Sequence, residues 1–142
     1  FTLKTFCSTR KYPNFIKMDI EGHEVKVFES GYEYFKNNEG ETHFLLEVHP
    51  QYYDSNNNFA KILNKYYDIG FKIKYLVGTP SKTLPPFRDA GYKPIKQIES
   101  DGWVRSLYEN IPQKDAIKFA CNLFNNVHGK KTVRSIMVSR EK

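Results

Sequence analysis

Two short stretches of the sequence place carboxylates and a histidine directly after apolar runs. Asp19 and Glu21 follow the run that begins at Phe15, while Glu47 and His49 close the run FLLEVH. A carboxylate next to an imidazole can act as a general base toward a hydroxyl or an amine, because the surroundings can move its pKa toward neutrality. A set of carboxylate oxygens can instead bind a hard divalent cation. These residue types therefore predict either proton transfer or cation binding.

Each candidate residue also has a non-catalytic interpretation. Asp19 and Glu21 stand just before a predicted helix, whose N-terminus favours negative charge. For Glu21 both interpretations stay open, whereas for Asp19 we expect a functional role, because a carboxylate on a strand meant for burial is costly. Lys17 either pairs with Asp19 or Glu47 or extends its ammonium group into solvent. Glu24 lies in the first helical turn and is interpreted as a partner of the helix dipole.

Alternating strands and helices are predicted around these residues. The elements are a strand over 14–20, a helix over 23–36, a strand over 43–49, a helix over 59–69 and a strand over 71–77. They form two βαβ units, so we expect parallel strands in a sheet with helices on its faces. Ligands bind beyond the carboxyl ends of such strands. The four candidate residues should therefore converge at one edge of the sheet.

The pattern changes after Gly78. Residues 79–94 contain four prolines and are predicted to form a loop, whereas residues 95–112 are ambiguous, with a short helix around Trp103 and Tyr108 as one interpretation. A helix over 113–126 and a β-branched strand over 132–139 follow. We therefore treat 79–131 as an insertion of loop and helix before the last strand. Trp103, Arg105 and Tyr108 are interpreted either as an acceptor-binding lid or as an aromatic cover over the sheet.

Composition and charge limit the classes of protein that need considering. The chain has 142 residues, of which 39% are hydrophobic, enough for one folded domain. Its 2 cysteines fit a reducing compartment, so we expect a cytoplasmic protein, and no apolar run approaches the roughly 20 residues of a membrane span. Residues 51–142 hold 16 Lys and Arg against 8 Asp and Glu. These basic residues are scattered without a base-stacking motif, so a nucleic-acid partner is not expected.

The segment KMDIEGHE, from Lys17 to Glu24, resembles the Lys-x-Asp-x-Glu-Gly-x-Glu signature of the FkbM-type methyltransferases. Thr2-Leu3 resembles the Thr-Leu-Asp segment that precedes this signature, and LLEVHP resembles the next strand of the family. The sequence departs from the family at Lys4, where the family usually has aspartate. The resemblance covers about the first half of the chain.

This resemblance implies a fold, a reaction and a set of site residues. It implies the C-terminal half of a Rossmann-like class I methyltransferase sheet and an S-adenosylmethionine-dependent O-methylation of a sugar or another small or glycan-like acceptor. We expect Asp19, Glu21, Glu47 and His49 to be catalytic, and Lys17 with Asp19 to contact the cofactor. No metal site is expected, because the histidines show no ligand spacing.

The half of such a domain that binds the cofactor is expected to lie upstream. No two of the 8 glycines form Gly-x-Gly, so we expect this chain alone to bind the cofactor weakly and to be inactive. The resemblance also implies that strand 132–139 runs antiparallel and inserts between 43–49 and 71–77. Strand 14–20 would then lie at an unpaired edge, which predicts self-association.

Two other functions stay open on the sequence alone. The first is a non-catalytic binding module whose basic segment 130–142 contacts an anionic partner. The second is a metal-dependent phosphoester hydrolase built on Asp19, Glu21 and Glu47, whose oxygens would bind Mg²⁺ or Mn²⁺.

Overall fold

The computed structural model describes residues 2–79, 85–123 and 131–142. Its helices are α1 (Leu3–Ser8), α2 (Glu24–Asn37), α3 (Phe59–Asp68), α4 (Pro85–Asp89) and α5 (Gln113–Ala120). Its strands are β1 (Phe15–Met18), β2 (Thr42–Glu47), β3 (Lys72–Gly78), β4 (Lys96–Ser100), β5 (Trp103–Glu109) and β6 (Val133–Arg140). The chain is thus an α/β protein, as predicted. The part of the predicted helix 113–126 beyond residue 123 lies outside the described residues.

The six strands form one mixed sheet in the order β1-β2-β6-β3-β5-β4. β1 and β2 are parallel, and β6 is antiparallel to both of its neighbours, β2 and β3. β1, β2 and β3 therefore run in one direction, and the last strand runs against them. The prediction that the last strand inserts between the second and third strands is confirmed.

Aromatic side chains fill the space between the sheet and its helices. Phe28 and Phe35 of α2 pack against Phe44 of β2, with ring centroids 4.8 and 5.2 Å apart. Tyr66 of α3 packs against Phe28, with centroids 4.6 Å apart, and donates its hydroxyl proton to the Phe28 carbonyl. Phe28 and Phe35 are seven residues apart and so lie on one face of α2, while Phe44 lies on the face of β2 that this helix covers. The apolar face of the helix and the apolar face of the strand therefore form one core.

The prediction of helices on both faces of the sheet is wrong for the described residues. Phe44 lies opposite Val138, and Leu46 opposite Ile136, all on the face that α2 and α3 cover. On the other face, Leu45 lies opposite Met137, and both are only half-buried. The near-continuous apolar run of β2 suggested burial on both sides. An apolar strand face shows only that the face is suited to burial, not which segment covers it.

The prediction of loop and helix over 79–131 needs a second correction. Residues 96–100 and 103–109 form a β-hairpin, in which Ile98 pairs with Arg105, and β5 extends the sheet by pairing with β3. The turn is the two-residue Asp101-Gly102, with φ of 54° and 73°, as hairpins with left-handed turns require. The sequence signal was this Asp-Gly pair between two β-prone runs. Residues 80–84 and 124–130 of this region lie outside the description.

Two remaining features concern the outer surfaces. Among the described strands none pairs with the outer side of β1, so the predicted self-association through this edge stays a prediction. Within the described ranges, no helix combines the length and the apolar character that crossing a bilayer requires.

Candidate functional site

A tight turn carries the first group of candidate residues from β1 to α2. β1 ends at Met18, and the chain reverses through Glu21 and Gly22, whose φ values are 49° and 92°. A Cβ atom at Gly22 would stand 2.5 Å from the Cβ of Tyr52, so only glycine fits beneath that side chain. Asn57 fixes the turn by donating from Nδ2 to the carbonyls of Gly22 and Tyr52, at 3.2 and 2.7 Å.

A buried carboxylate at the start of α2 holds the histidine that follows β2. Oε1 of Glu24 lies 2.8 Å from Nδ1 of His49, and the two side chains are 0% and 9% exposed. With the His49 ring neutral and Nδ1 donating its proton to this carboxylate, the lone pair lies on Nε2. The pair therefore has the geometry in which a carboxylate selects one tautomer of an imidazole and orients its ring.

Further donors satisfy the Glu24 carboxylate. The Gly22 amide donates to Oε1 at 3.2 Å, and the Tyr53 hydroxyl donates to Oε2 at 3.3 Å. The same Tyr53 oxygen accepts the His49 amide at 3.1 Å. Burial, together with the nearby Glu24 charge, raises the pKa of Tyr53 well above its usual range, so its hydroxyl keeps the proton that it donates. These contacts fix the position of the Glu24 carboxylate.

The opposite side of the imidazole faces the exposed carboxylate of Asp19. Nε2 of His49 lies 3.7 Å from Oδ1 of Asp19, whose side chain is 55% exposed. The half-exposed ring of Tyr52 lies beside the imidazole, with centroids 6.4 Å apart. At 3.7 Å the two polar atoms are too far apart for a direct hydrogen bond. The two groups therefore face each other without a direct hydrogen bond.

Glu47 takes part in a different set of contacts. Its carboxylate binds Lys131 Nζ at 2.9 Å and Arg134 NH2 at 3.3 Å. Burial tends to raise the pKa of Glu47, but the Lys131 hydrogen bond and the charges of Lys131, Arg134 and His49 outweigh it and lower that pKa. Glu47 is thus a neutralised anion that ties β2 to the start of β6.

The structure brings together only part of the predicted set. Asp19 and His49 meet as expected, whereas no polar contact joins Glu21 to either of them within the described residues. Lys17 is exposed on β1, which agrees with the second of its two interpretations, and the described ion pairs include none between Lys17 and Asp19 or Glu47. The Glu47 carboxylate is already paired with Lys131 and Arg134.

Comparison with known proteins assigns the chain to a family. Residues 1–73 match the family model described as the methyltransferase FkbM domain. This is half of the chain. The chain belongs to the FkbM methyltransferase family. No curated protein and no solved structure matches the chain significantly.

The FkbM match spans the three residues that meet in space. Asp19, Glu24 and His49 lie within residues 1–73, whereas Lys131, Arg134 and the β4–β5 hairpin lie beyond them. The FkbM domain is a methyltransferase domain, so the family match supports methyl transfer as the activity of this chain.

Sequence reasoning missed the role of Glu24 in this FkbM chain. Glu24 was interpreted as a partner of the helix dipole, but its side chain is fully buried. A usable signal was present, because Glu24 precedes Phe28 by four residues and so lies on the apolar stripe of α2. A charged residue on such a stripe needs a buried partner, and His49 is that partner.

The metal-dependent hydrolase and the basic binding module have less support from the structure than methyl transfer. Among the described residues, no three His, Cys, Asp or Glu side chains lie close enough together to hold a metal ion. In the basic C-terminal segment, Lys131 and Arg134 bind Glu47, and Arg140 is buried. These three side chains are thus engaged in contacts within the molecule, although Arg134 remains 40% exposed. Lys130 lies outside the described residues.

Proposed function

We propose that this chain carries the acceptor side of an S-adenosylmethionine-dependent O-methyltransferase with a Rossmann-like class I sheet. The acceptor is a sugar or another small or glycan-like molecule with a free hydroxyl. The family match supports the reaction class. One observation supports the site: an imidazole held by a buried carboxylate and facing an exposed one, at the carboxyl ends of β1 and β2.

The residues at this edge suit the groups of the cofactor in part. The exposed Asp19 carboxylate suits hydroxyl or ammonium donors, and the exposed Lys17 ammonium suits a carboxylate. S-adenosylmethionine, when bound, supplies a methyl group on a positively charged sulfur and leaves as a neutral thioether. Glycine spacing typical of a cofactor loop is absent from the 142 residues, so this chain supplies one wall of the cofactor site.

In the proposed mechanism, His49 removes the proton of the acceptor hydroxyl. The lone pair on Nε2 would accept that proton, so the imidazole would become an imidazolium. Glu24 at Nδ1 and Asp19 near Nε2 stabilise this cation. Asp19 also accepts a hydrogen bond from the acceptor or cofactor and so fixes the direction of attack.

The remaining predicted residues receive supporting roles. Glu47, with its two basic partners, fixes the strand end from which His49 extends. Glu21 is exposed at the turn, where its carboxylate can contact a second hydroxyl of the acceptor. The proposal places the enzyme in the cytoplasm, supported by Cys7 and Cys121, which are both free thiols.

Methyl transfer by the full-length protein tests this proposal. The assay measures release of S-adenosylhomocysteine over a panel of neutral and acidic sugars and glycosides. We expect His49→Gln to lower the rate by about 10²-fold or more, because it removes the proton acceptor. His43→Gln is the matched control: His43 lies on the same strand and contacts Ser139 and Glu41 at the other end of the sheet. It should keep the rate within a few-fold.

Two outcomes would contradict the proposal. The first is equal activity of wild type and His49→Gln on an acceptor that the wild type methylates. The second is equal loss in both histidine variants, which would point to a general effect on folding. Circular dichroism of each variant separates the second outcome from a loss of chemistry.

A further inference from the structure

The β4–β5 hairpin extends past the edge of the sheet where the candidate site lies. The last pair between β3 and β5 joins Val77 to Leu107, close to the carboxyl end of β3. The hairpin ladder continues from there to the pair of Ser100 and Trp103. Four residues of β5 therefore run beyond this pairing, by about 13 Å at 3.4 Å per residue. The tip of the hairpin therefore lies beyond the carboxyl ends of β1, β2 and β3, which is the end of the sheet that carries Asp19 and His49.

This tip contains a buried cation whose only anion in the described part of the chain is a solvent-exposed carboxylate. The side chain of Arg105 is 8% exposed, and its Nε has no hydrogen-bond partner among the described residues. NH1 donates to the Ser100 carbonyl at 2.7 Å and lies 3.4 Å from Oδ2 of Asp101. Asp101 is 71% exposed, so it offsets the charge of Arg105 only weakly. A guanidinium buried to this extent is costly unless an anion contacts it, and since Nε is itself enclosed, that anion would have to bind at the terminal nitrogens, where Asp101 now lies.

The only tryptophan of the chain lies two residues away from this arginine. Trp103 and Arg105 leave the same face of β5, because strand side chains alternate. Trp103 is 55% exposed. An exposed indole offers a flat apolar surface, which suits the C–H face of a sugar ring. A ring and an anionic group are thus the two features that this tip can recognise together.

We propose that the hairpin tip is a binding site for an acidic sugar, with Arg105 on its carboxylate or phosphate and Trp103 against its ring. Within the proposed function, on which this assignment to the acceptor rests, the acidic sugar is part of the molecule that is methylated. β2, β6, β3 and β5 are consecutive neighbours in the sheet, so Arg105 lies about 14 Å from His49 along the edge. An extended acidic glycan reaches both sites.

Asp101 occupies the place of the ligand anion in this site. Its φ of 54° puts it in the left-handed turn, and its exposed carboxylate also accepts a hydrogen bond from the Ser100 hydroxyl at 3.1 Å. An incoming anion must displace this carboxylate from Arg105. Removing the negative charge of Asp101 should therefore strengthen ligand binding, which a purely structural Asp101–Arg105 pair would not do.

Trp103 fluorescence tests the site without cofactor or turnover, so a failure here is distinct from a failure of methyl transfer. The 142-residue chain is titrated with glucuronic acid, glucose 6-phosphate and neutral glucose. We expect a saturable change with at least one acidic sugar and none with glucose. Comparing the two acidic sugars distinguishes a carboxylate from a phosphate as the recognised group.

Three variants sharpen the result. Arg105→Gln should weaken binding by roughly tenfold or more, and Asp101→Asn should strengthen it several-fold. Arg10→Gln, which changes an exposed arginine near α1, should leave binding unchanged. No saturable response to either acidic sugar, an equal response to glucose, or unchanged affinity in Arg105→Gln would overturn the proposal. If Arg105→Gln does not fold, Asp101→Asn decides, and unchanged or weaker binding there would overturn it.

Discussion

Replacing Arg140 with methionine should unfold the protein at a much lower temperature. The guanidinium of Arg140 uses all five of its N–H donors. It donates to the carbonyls of Phe35, Asn38, Gly40 and Ile69 and to the hydroxyl of Tyr12, over distances from 2.6 to 3.3 Å. Several of these carbonyls lie at the C-terminal ends of α2 and α3, where helices leave acceptors unpaired and favour a positive charge. Arg140 therefore joins the last strand to two helix ends.

The expected loss follows from these contacts. Four carbonyls lose a charged donor, at about 1 kcal/mol each if water replaces part of the contact. The guanidinium also lies 4.6 Å from the ring centroid of Phe71, which adds about 1 kcal/mol. Relief of the buried charge offsets part of this sum. A net loss of about 3 kcal/mol remains, which corresponds to a fall in Tm of about 12 °C for a domain of this size.

Thermal and denaturant unfolding measure this loss. Arg140→Lys should lose about half as much, because an ammonium keeps the charge but not the five-donor fork. Arg88→Met is the control, since Arg88 is 78% exposed and, among the described residues, forms an ion pair only with the exposed Asp89. It should change the free energy of unfolding by less than about 0.5 kcal/mol. A loss below 1 kcal/mol in Arg140→Met would refute the reasoning.

Two further predictions concern the turn and the acid stability of the site. Gly22→Ala should cost at least about 1 kcal/mol more than Gly102→Ala in denaturant unfolding: both positions have positive φ, but only Gly22 lacks room for a Cβ. An equal loss of unfolding free energy in the two variants would contradict this, since it would show that the Tyr52 side chain moves aside at little cost. Glu47 has a lowered pKa in the folded state, so its stabilising contribution is present above its ordinary value of 4.5 and is lost as the pH falls. Wild type should therefore lose more stability than Glu47→Gln between pH 7 and pH 3, and parallel curves would contradict this.

Local patterns were enough to predict most of the first half of the chain. The alternation in β1, the stripe of α2 and the apolar run of β2 each specify one element, and their order specifies parallel strands. The insertion of β6 came from the resemblance to a family and not from the pattern, because no local signal states which strands a β-branched run will join. The hairpin was missed although Asp101-Gly102 marks it, because Trp103 and Leu107, four residues apart, also fit a helical spacing.

Only two residues of the site, Asp19 and His49, could be predicted from the sequence. Asp19 and His49 were predictable because both follow strands, whose carboxyl ends meet at one edge. The contact between Glu24 and His49 joins residues 25 positions apart, and it depends on the packing of α2 against the sheet. The partners of Glu47, Lys131 and Arg134, lie at least 84 residues further along the chain, just before and within β6. Such contacts depend on tertiary packing, about which the propensities of single residues carry no information.

The position of the proton on the His49 ring tests the central claim most directly, because the mechanism requires Glu24 to hold the proton on Nδ1. Long-range ¹H–¹⁵N correlation spectra of the chain, recorded at a pH where the ring is neutral, report the protonation of each ring nitrogen. We expect Nδ1 to be protonated and Nε2 to be free, and we expect Glu24→Gln to disturb this preference. A neutral His49 with its proton on Nε2 would contradict the account, since that nitrogen could not then accept a proton from an acceptor hydroxyl.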